Sequence, residues 1–168
     1  MKNKLDIVSL CLFFSLIIIA PLSLIATEKI LHRGNGAEPD TLDPHLATGH
    51  WEGSIINDIF VGLFTKGEDG SSIRGSVKSY TKSENGLKYT FFLREDHFWS
   101  DGVNVTANDY VNGFRRVLNP VTASQYGSLL YLIKNGLEVN SGDLSPDELG
   151  VKKLDDFTLE ITLNYPAP

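Results

Sequence analysis

Residues 89–109 read Y-T-F-F-L-R-E-D-H-F-W-S-D-G-V-N-V-T-A-N-D, a strand, a turn and a helix start in succession. Tyr89 to Leu93 is rich in aromatic side chains and free of breakers, which predicts a strand. Arg94 to Phe98 is a charged connection carrying one aromatic. Ser100-Asp101-Gly102 then makes a tight turn, and Trp99 is expected to bury a large area beside it. Thr106 can cap a helix from Ala107 to Leu118 whose apolar side is Tyr110, Val111, Phe114 and Val117. Asn119-Pro120 ends that helix.

Working outward, Asn85-Gly86 is a two-residue hairpin signal joining a strand at 77–83 to one at 87–94. Leu63 to Lys66 reads as a short strand before a polar turn at 67–70. Trp51, Ile55, Ile56, Ile59 and Phe60 recur at helical spacing and predict an amphipathic helix over 51–61, stopped by Gly62. Pro39 and Pro44 keep the preceding stretch extended or turned, and Asp40 and Thr41 offer side-chain oxygens to local backbone donors. Lys29 to Arg33 reads as a first strand, ended by Gly34 and Gly36. Downstream, 127–139 is expected to be helical, with Leu129, Leu130, Leu132 and Ile133 inside. Ser141-Gly142-Asp143 breaks the pattern, 146–149 is a turn or helix start, and 151–154 with 157–163 forms a hairpin about Asp155-Asp156. Leu159, Ile161 and Leu163 share one face of its second strand. The mixture of hairpins and separate helices is α+β, without internal repeats.

Residues 1–26 stand apart. Lys2 and Lys4 precede an apolar run from Ile7 to Ile19, and Pro21-Leu22-Ser23 breaks it ahead of Ala26. That is the layout of a signal peptide cleaved near Thr27; an uncleaved N-terminal anchor is the alternative, because Leu22 to Ile25 prolongs the apolar stretch. Cys11 is the one cysteine and lies inside that run after Leu10, which fits a leader core residue and not a lipid-attachment site. The expected mature protein is therefore periplasmic, free of disulfides and not a lipoprotein. The chain carries 15 basic and 21 acidic side chains, for a net charge of -6. No basic run interrupts this acidic balance, which argues against nucleic acid or an anionic membrane as partner.

Y-x-F-x-L-R, F-W-S-D-G and V-T-A-x-D within 89–109, E-P-D-T-L-D-P-H over 38–45, and R-R-V-L-N-P-V-T-A-S-Q-Y over 115–126 occur in one order. This order resembles the extracytoplasmic solute-binding proteins of peptide ABC transporters (family 5), in particular their oligopeptide-binding members. The resemblance covers roughly residues 29–168. It implies the N-terminal part of a two-lobed periplasmic-binding-protein fold. On it, 1–26 is the signal peptide, 27–60 the first segment of lobe one, and 61–168 a small inserted α+β domain, incomplete at its C-terminus. The expectation is a truncated chain that lacks the opposing lobe. It should bind peptides weakly or not at all on its own, be marginally stable or self-associate, and leave apolar surface at Ile30-Leu31, Trp51 and the Leu159-Ile161-Leu163 strand. The implied function is the substrate-binding component of an ABC importer for oligopeptides, with a peptide ligand and membrane permease subunits as partners. The membrane would be met only through that transporter or an uncleaved leader.

The resemblance also implies site residues. A short segment after D-P-H lies along the ligand backbone in the family; here it is Thr48, Gly49 and His50. Main-chain pairing of this kind supplies affinity with little regard to side chain, and a glycine allows close backbone approach. The bland alternative is that Gly49 merely precedes a helix. Relatives often carry an acidic residue where Thr48 stands, so a preference for basic ligands is in doubt. Tyr126 aligns with a ligand-contacting tyrosine; otherwise it is a buried aromatic before a helix. Asp43, Pro44, Trp99, Asp101 and Gly102 form a structural signature. No catalytic residue, metal or cofactor is expected. His32, His45, His50 and His97 with Asp43, Asp58 and Asp96 lack H-E-x-x-H spacing, and G-x-S-x-G and phosphate-cradling loops are missing, so a metal-dependent hydrolase is a distant alternative. Other family solutes (dipeptide, cell-wall peptide, glutathione, nickel chelate or haem) and a non-functional remnant stay open.

Overall fold

The computed structural model describes residues 29–167. The expected leader and Cys11 lie outside them. Backbone contacts divide the chain into two units that meet between Gly34 and Asn35. In the first unit, residues 29–34 form no strand, contrary to the reading of Lys29 to Arg33. Among the described residues no strand is paired with this stretch, and β propensity alone does not make a ladder.

The second unit is built on a four-stranded antiparallel sheet of order β3-β4-β6-β5. Its strands are β3 (Val77–Lys82), β4 (Lys88–Leu93), β5 (Val151–Asp155) and β6 (Thr158–Thr162). Pairing of Phe91 with Leu159 and of Tyr89 with Ile161 puts these side chains on one face. Leu93 continues that face, and Leu159 is fully buried there. Leu159, Ile161 and Leu163 thus belong to the core, not to uncovered surface, because their own domain covers them. Trp51, by contrast, is 42 % exposed. A separate two-stranded ribbon pairs β1 (Phe64–Lys66) with β2 (Ser72–Arg74), a strand that the sequence reading missed.

Helix α2 (Ala107–Leu118) covers the sheet beside β5 and β6. Its start follows from local chemistry. Thr106 and Asp109 form a capping box, with the Thr106 amide donating to Asp109 Oδ2 at 2.7 Å. The Ala107 amide donates to Asp156 O in the β5–β6 turn, which docks the helix end on the hairpin. Ala107, Val111 and Leu118 are buried. Helix α1 (His50–Ile59) begins one residue before the expected start and ends with Phe60 already extended.

Other expectations need correction. The β3–β4 loop is longer than a two-residue turn: the Gly86 amide donates to Ser83 O, and only Gly86 takes a left-handed φ, of 70°. A type I′ turn would need two such residues. The helix expected over 127–139 is two pieces, a 3-10 turn at Gly127–Leu130 and helix α3 (Gly136–Ser141). Asn135 adopts φ 64°, and a Cβ on Gly136 would stand 2.6 Å from Leu130 O, so the chain turns sharply here. This turn leaves Leu129 exposed and carries Ile133 into the core, bridged to Leu163. Trp99 is 41 % exposed, not deeply buried. The Ser100-Asp101-Gly102 turn closes through backbone bonds, Trp99 N to Val103 O and Gly102 N to Trp99 O, with Asp101 Oδ1 accepting from the Val103 amide. The turn therefore does not need the indole as its floor. Among the described residues no helix is long and apolar enough to cross a membrane.

Candidate functional site

The candidate site starts from a turn. In Asp43-Pro44-His45-Leu46 the Asp43 carbonyl accepts from the Leu46 and Ala47 amides at 3.1 and 2.9 Å. Pro44 occupies the second position, where its fixed φ suits a type I turn. The Asp43 side chain adds an Asx bond, Oδ1 accepting from the His45 amide at 3.0 Å. Its carboxylate then meets Arg116, 73 residues on in the last turn of α2. Nη1 donates to Oδ1 at 2.7 Å and Nη2 to Oδ2 at 2.5 Å. This fork-to-fork geometry is the strong form of an ion pair. The bonds from Arg116, helped by the His45 amide and by the Arg116 charge, hold the Asp43 carboxyl down at about 2, against the opposing effect of burial.

His45 shares the same guanidinium, since Arg116 Nη1 lies 2.9 Å from His45 Nδ1. A guanidinium can only donate, so Nδ1 is the acceptor and the ring proton sits on Nε2. Burial, and then the Arg116 charge, push the His45 pKa below its ordinary value, while Asp43 partly opposes this.

Beyond the turn, Thr48, Gly49 and His50 are all exposed. The Tyr126 hydroxyl donates to Thr48 O at 3.3 Å, a long bond. Tyr126 precedes the 3-10 turn whose Gly127 packs on the Asn140 side chain. Asn140 is fixed in turn by donating to Leu118 O and accepting from Tyr131 Oη. Residues 43–49 are thus strapped at one end to α2 and at the other to the segment that follows it. Among the described residues the Thr48 amide donates no hydrogen bond.

Gly49 is the N-cap of α1, with φ -88° and ψ 163°, which any residue can adopt. What a side chain here would meet is the Glu52 carboxylate: a Cβ would stand 2.0 Å from its Oε2, so the carboxylate would have to move. Glu52 is 4 % exposed, and its Oε1 accepts from the Asp40 amide at 3.0 Å. Oε2 is buried without a well-aligned donor among the described residues. The Asp40 amide first, then the Glu52 and Gly49 amides, hold the carboxyl below its usual range. Trp51 lies over Gly36, where a Cβ would meet its ring at 2.5 Å. The His50 ring meets Trp51 edge-on at 5.5 Å.

The structure therefore brings Thr48 and Tyr126 together, with Gly49 and His50 beside them, and places Asp43 and Pro44 at the base of the same segment. Trp99 instead lines a mainly apolar cleft of about 930 Å³ with Ile59, Phe60, Phe98, Tyr110 and Phe114. Asp43, His45 and Arg116 also line it, but Thr48, Gly49, His50 and Tyr126 do not. Asp101 and Gly102 lie in the adjoining turn. Among the described residues no group of three or more His, Cys, Asp or Glu could hold a metal ion. Sequence reasoning missed Glu52, Arg116 and His45 as contributors. Gly49-x-x-Glu52 is a readable cap spacing. The partnership of Asp43 with Arg116 has no local signal.

The family profile described as bacterial extracellular solute-binding proteins, family 5 Middle, matches residues 41–168. The periplasmic oligopeptide-binding protein OppA of Escherichia coli K12 is 40 % identical over 146 residues, covering 86 % of this chain and 27 % of the relative. The periplasmic murein peptide-binding protein MppA of the same strain is 35 % identical over 148 residues, covering 87 % of this chain and 27 % of the relative. The crystal structure of Haemophilus influenzae OppA in complex with RPPGFSPFR matches with a TM-score of 0.75 at 34 % identity, covering 80 % of this chain and 26 % of that one. The chain thus spans about a quarter of the length of these relatives.

Two outcomes follow from the site's geometry. Gly49→Ala should lower Tm by about 5 °C by expelling the Glu52 carboxylate, a change readable by circular dichroism. In a Glu52→Ala background the same substitution should cost nothing, because the space is free. An equal cost in both backgrounds would contradict this cap. The Asp43–Arg116 pair should give an acid-sensitive increment of stability. The folded pKa lies below the unfolded one, so the increment is complete above the ordinary carboxylate range and disappears as pH falls through the folded value. The Tm difference between wild type and Asp43→Asn should hold steady above about pH 5 and shrink toward zero near pH 2. A difference independent of pH would show that the pair contributes no charge-linked stability.

Proposed function

The chain belongs to the bacterial extracellular solute-binding proteins of family 5, and on that basis we propose that it serves as the peptide-capturing component of an ABC importer. Its relatives are named as periplasmic binding proteins for oligopeptides and murein peptides, and one solved relative holds a nonapeptide. The observation that carries the reading is the exposed strip Thr48-Gly49-His50, whose lead-in is tied down at Asp43 and at Thr48 and which presents an unengaged Thr48 amide. An extended peptide laid along it gains main-chain hydrogen bonds that are indifferent to its side chains, which suits a carrier of many sequences. Tyr126, 46 % exposed, offers a ring face and a hydroxyl beside the same strip.

In this reading residues 27–60 contribute to the first lobe and 61–168 to the small domain. Residues 1–26 direct export to the periplasm, either cleaved or retained as an anchor. Membrane permease subunits receive the loaded protein. Asp43 and Pro44 shape the strip's approach, while Trp99, Asp101 and Gly102 form a structural corner.

Tri-alanine titrated into the isotopically labelled chain should shift the amide resonances of Thr48, Gly49 and His50 in a saturable way, even at millimolar affinity, about -4 kcal/mol. Shifts confined to other segments, or none at millimolar peptide, would refute the strip as a peptide site.

A further inference from the structure

The cleft beside Trp99 lies outside the peptide strip, whose residues do not line it. Its volume of about 930 Å³ is within the range of small-molecule sites, and its walls are mainly apolar. Phe60, Phe98, Trp99 and Phe114 line it with aromatic rings. Gly113 lines it too, from the middle of α2, where glycine weakens a helix. Yet among the described residues no other part of the chain lies within 4 Å of the place its Cβ would take. No close packing inside the domain calls for glycine there, and the bare patch is open to whatever enters the cleft.

The charges around the cleft do not cancel. Asp43 is paired with Arg116, and Asp96 with Arg94. Asp109 lies one helical turn before Gly113, on the same face of α2, and is half-buried. Thr106 engages only its Oδ2, through the amide and the hydroxyl. Among the described residues Asp109 Oδ1 has no donor and the carboxylate has no cation. An uncompensated negative charge therefore borders an aromatic cleft, in a chain of net charge -6.

We propose that this cleft is a second binding site, for a small hydrophobic ammonium. The cation rests on Asp109 Oδ1, and the apolar body lies over Gly113 among the rings. A cation that leaves water needs an anion in return, and Asp109 supplies it. The ring faces add attraction for positive charge. The body is removed from water by the same walls. An anionic ligand would instead meet the Asp109 charge unpaired.

The test uses the full labelled chain in about 150 mM salt, at about pH 7.5, above the ordinary histidine range. It is titrated with phenylbutylamine, phenylbutanol and phenylbutyrate, which share one apolar body and differ in charge. The Gly113 amide and the Trp99 indole N–H should shift in a saturable way. The ammonium should bind at least about tenfold tighter than the alcohol, and the carboxylate more weakly than either. The Thr48, Gly49 and His50 amides should stay in place, so the outcome is independent of the peptide reading. Gly113→Leu puts a side chain into the open space and suits a helix better; it should keep or raise Tm while removing the binding. Asp109→Asn can still accept from Thr106 and should bring the ammonium down to the affinity of the alcohol. No saturable binding of the ammonium, equal affinity for the three probes, binding retained in Gly113→Leu, or an ammonium preference retained in a folded Asp109→Asn protein would each overturn the site. So would Gly113 and Trp99 signals that move with protein concentration alone, which would give the cleft to a second copy of the chain.

Discussion

A bidentate ion pair between Asp43 and Arg116 ties a short turn to the end of a long-range helix, and the candidate site depends on it. Without that pair, residues 43–49 would be held by local turn bonds and by the long Tyr126–Thr48 contact. Turn bonds shape a segment but do not fix where it lies on the domain. The two Arg116 bonds do so, and they add direction as well as attraction because the guanidinium is planar. His45 accepting from the same guanidinium removes one more way for the turn to rotate.

The pair can act this way because α2 is itself immobilised. Its N-terminus is closed by the Thr106–Asp109 box and docked on the β5–β6 turn, and Leu118 at its C-terminus is fully buried. Arg116 therefore projects from a rigid element, at the helix end where a positive charge is favoured. The sheet beneath supplies the burial, through Leu159, Val151, Val77 and their neighbours. The other side of the strip follows the same logic at smaller scale. Glu52 closes the start of α1 from inside, and Gly49 leaves it room. A site made of main-chain groups needs this kind of support, since no side chain of its own anchors it.

Much of this was legible in the chain because it rests on short-range chemistry. The Thr106 cap, the α2 stripe and the strands at 77–82, 88–93, 151–155 and 158–162 all carry local signatures. Tertiary context overrode the local reading elsewhere. Leu129 to Ile133 looks helical by spacing, yet Asn135 and Gly136 turn the chain so that Ile133 can reach Leu163. Trp99 looks like a core residue by size, yet it lines an open cleft. In the site, family resemblance pointed to the strip, and spacing could have pointed to Glu52. Arg116 was out of reach because nothing in residues 115–118 states that one arginine faces α2's neighbour Asp147 while the next faces Asp43.

If the Asp43–Arg116 pair positions the strip for peptide, Arg116→Lys should loosen it. Lysine keeps the charge but cannot form the fork. Tri-alanine titration of this variant, read at the Thr48, Gly49 and His50 amides, should show binding weakened at least about fivefold while the sheet resonances stay in place. An unchanged affinity in a correctly folded Arg116→Lys protein would mean that the strip holds its place without the pair.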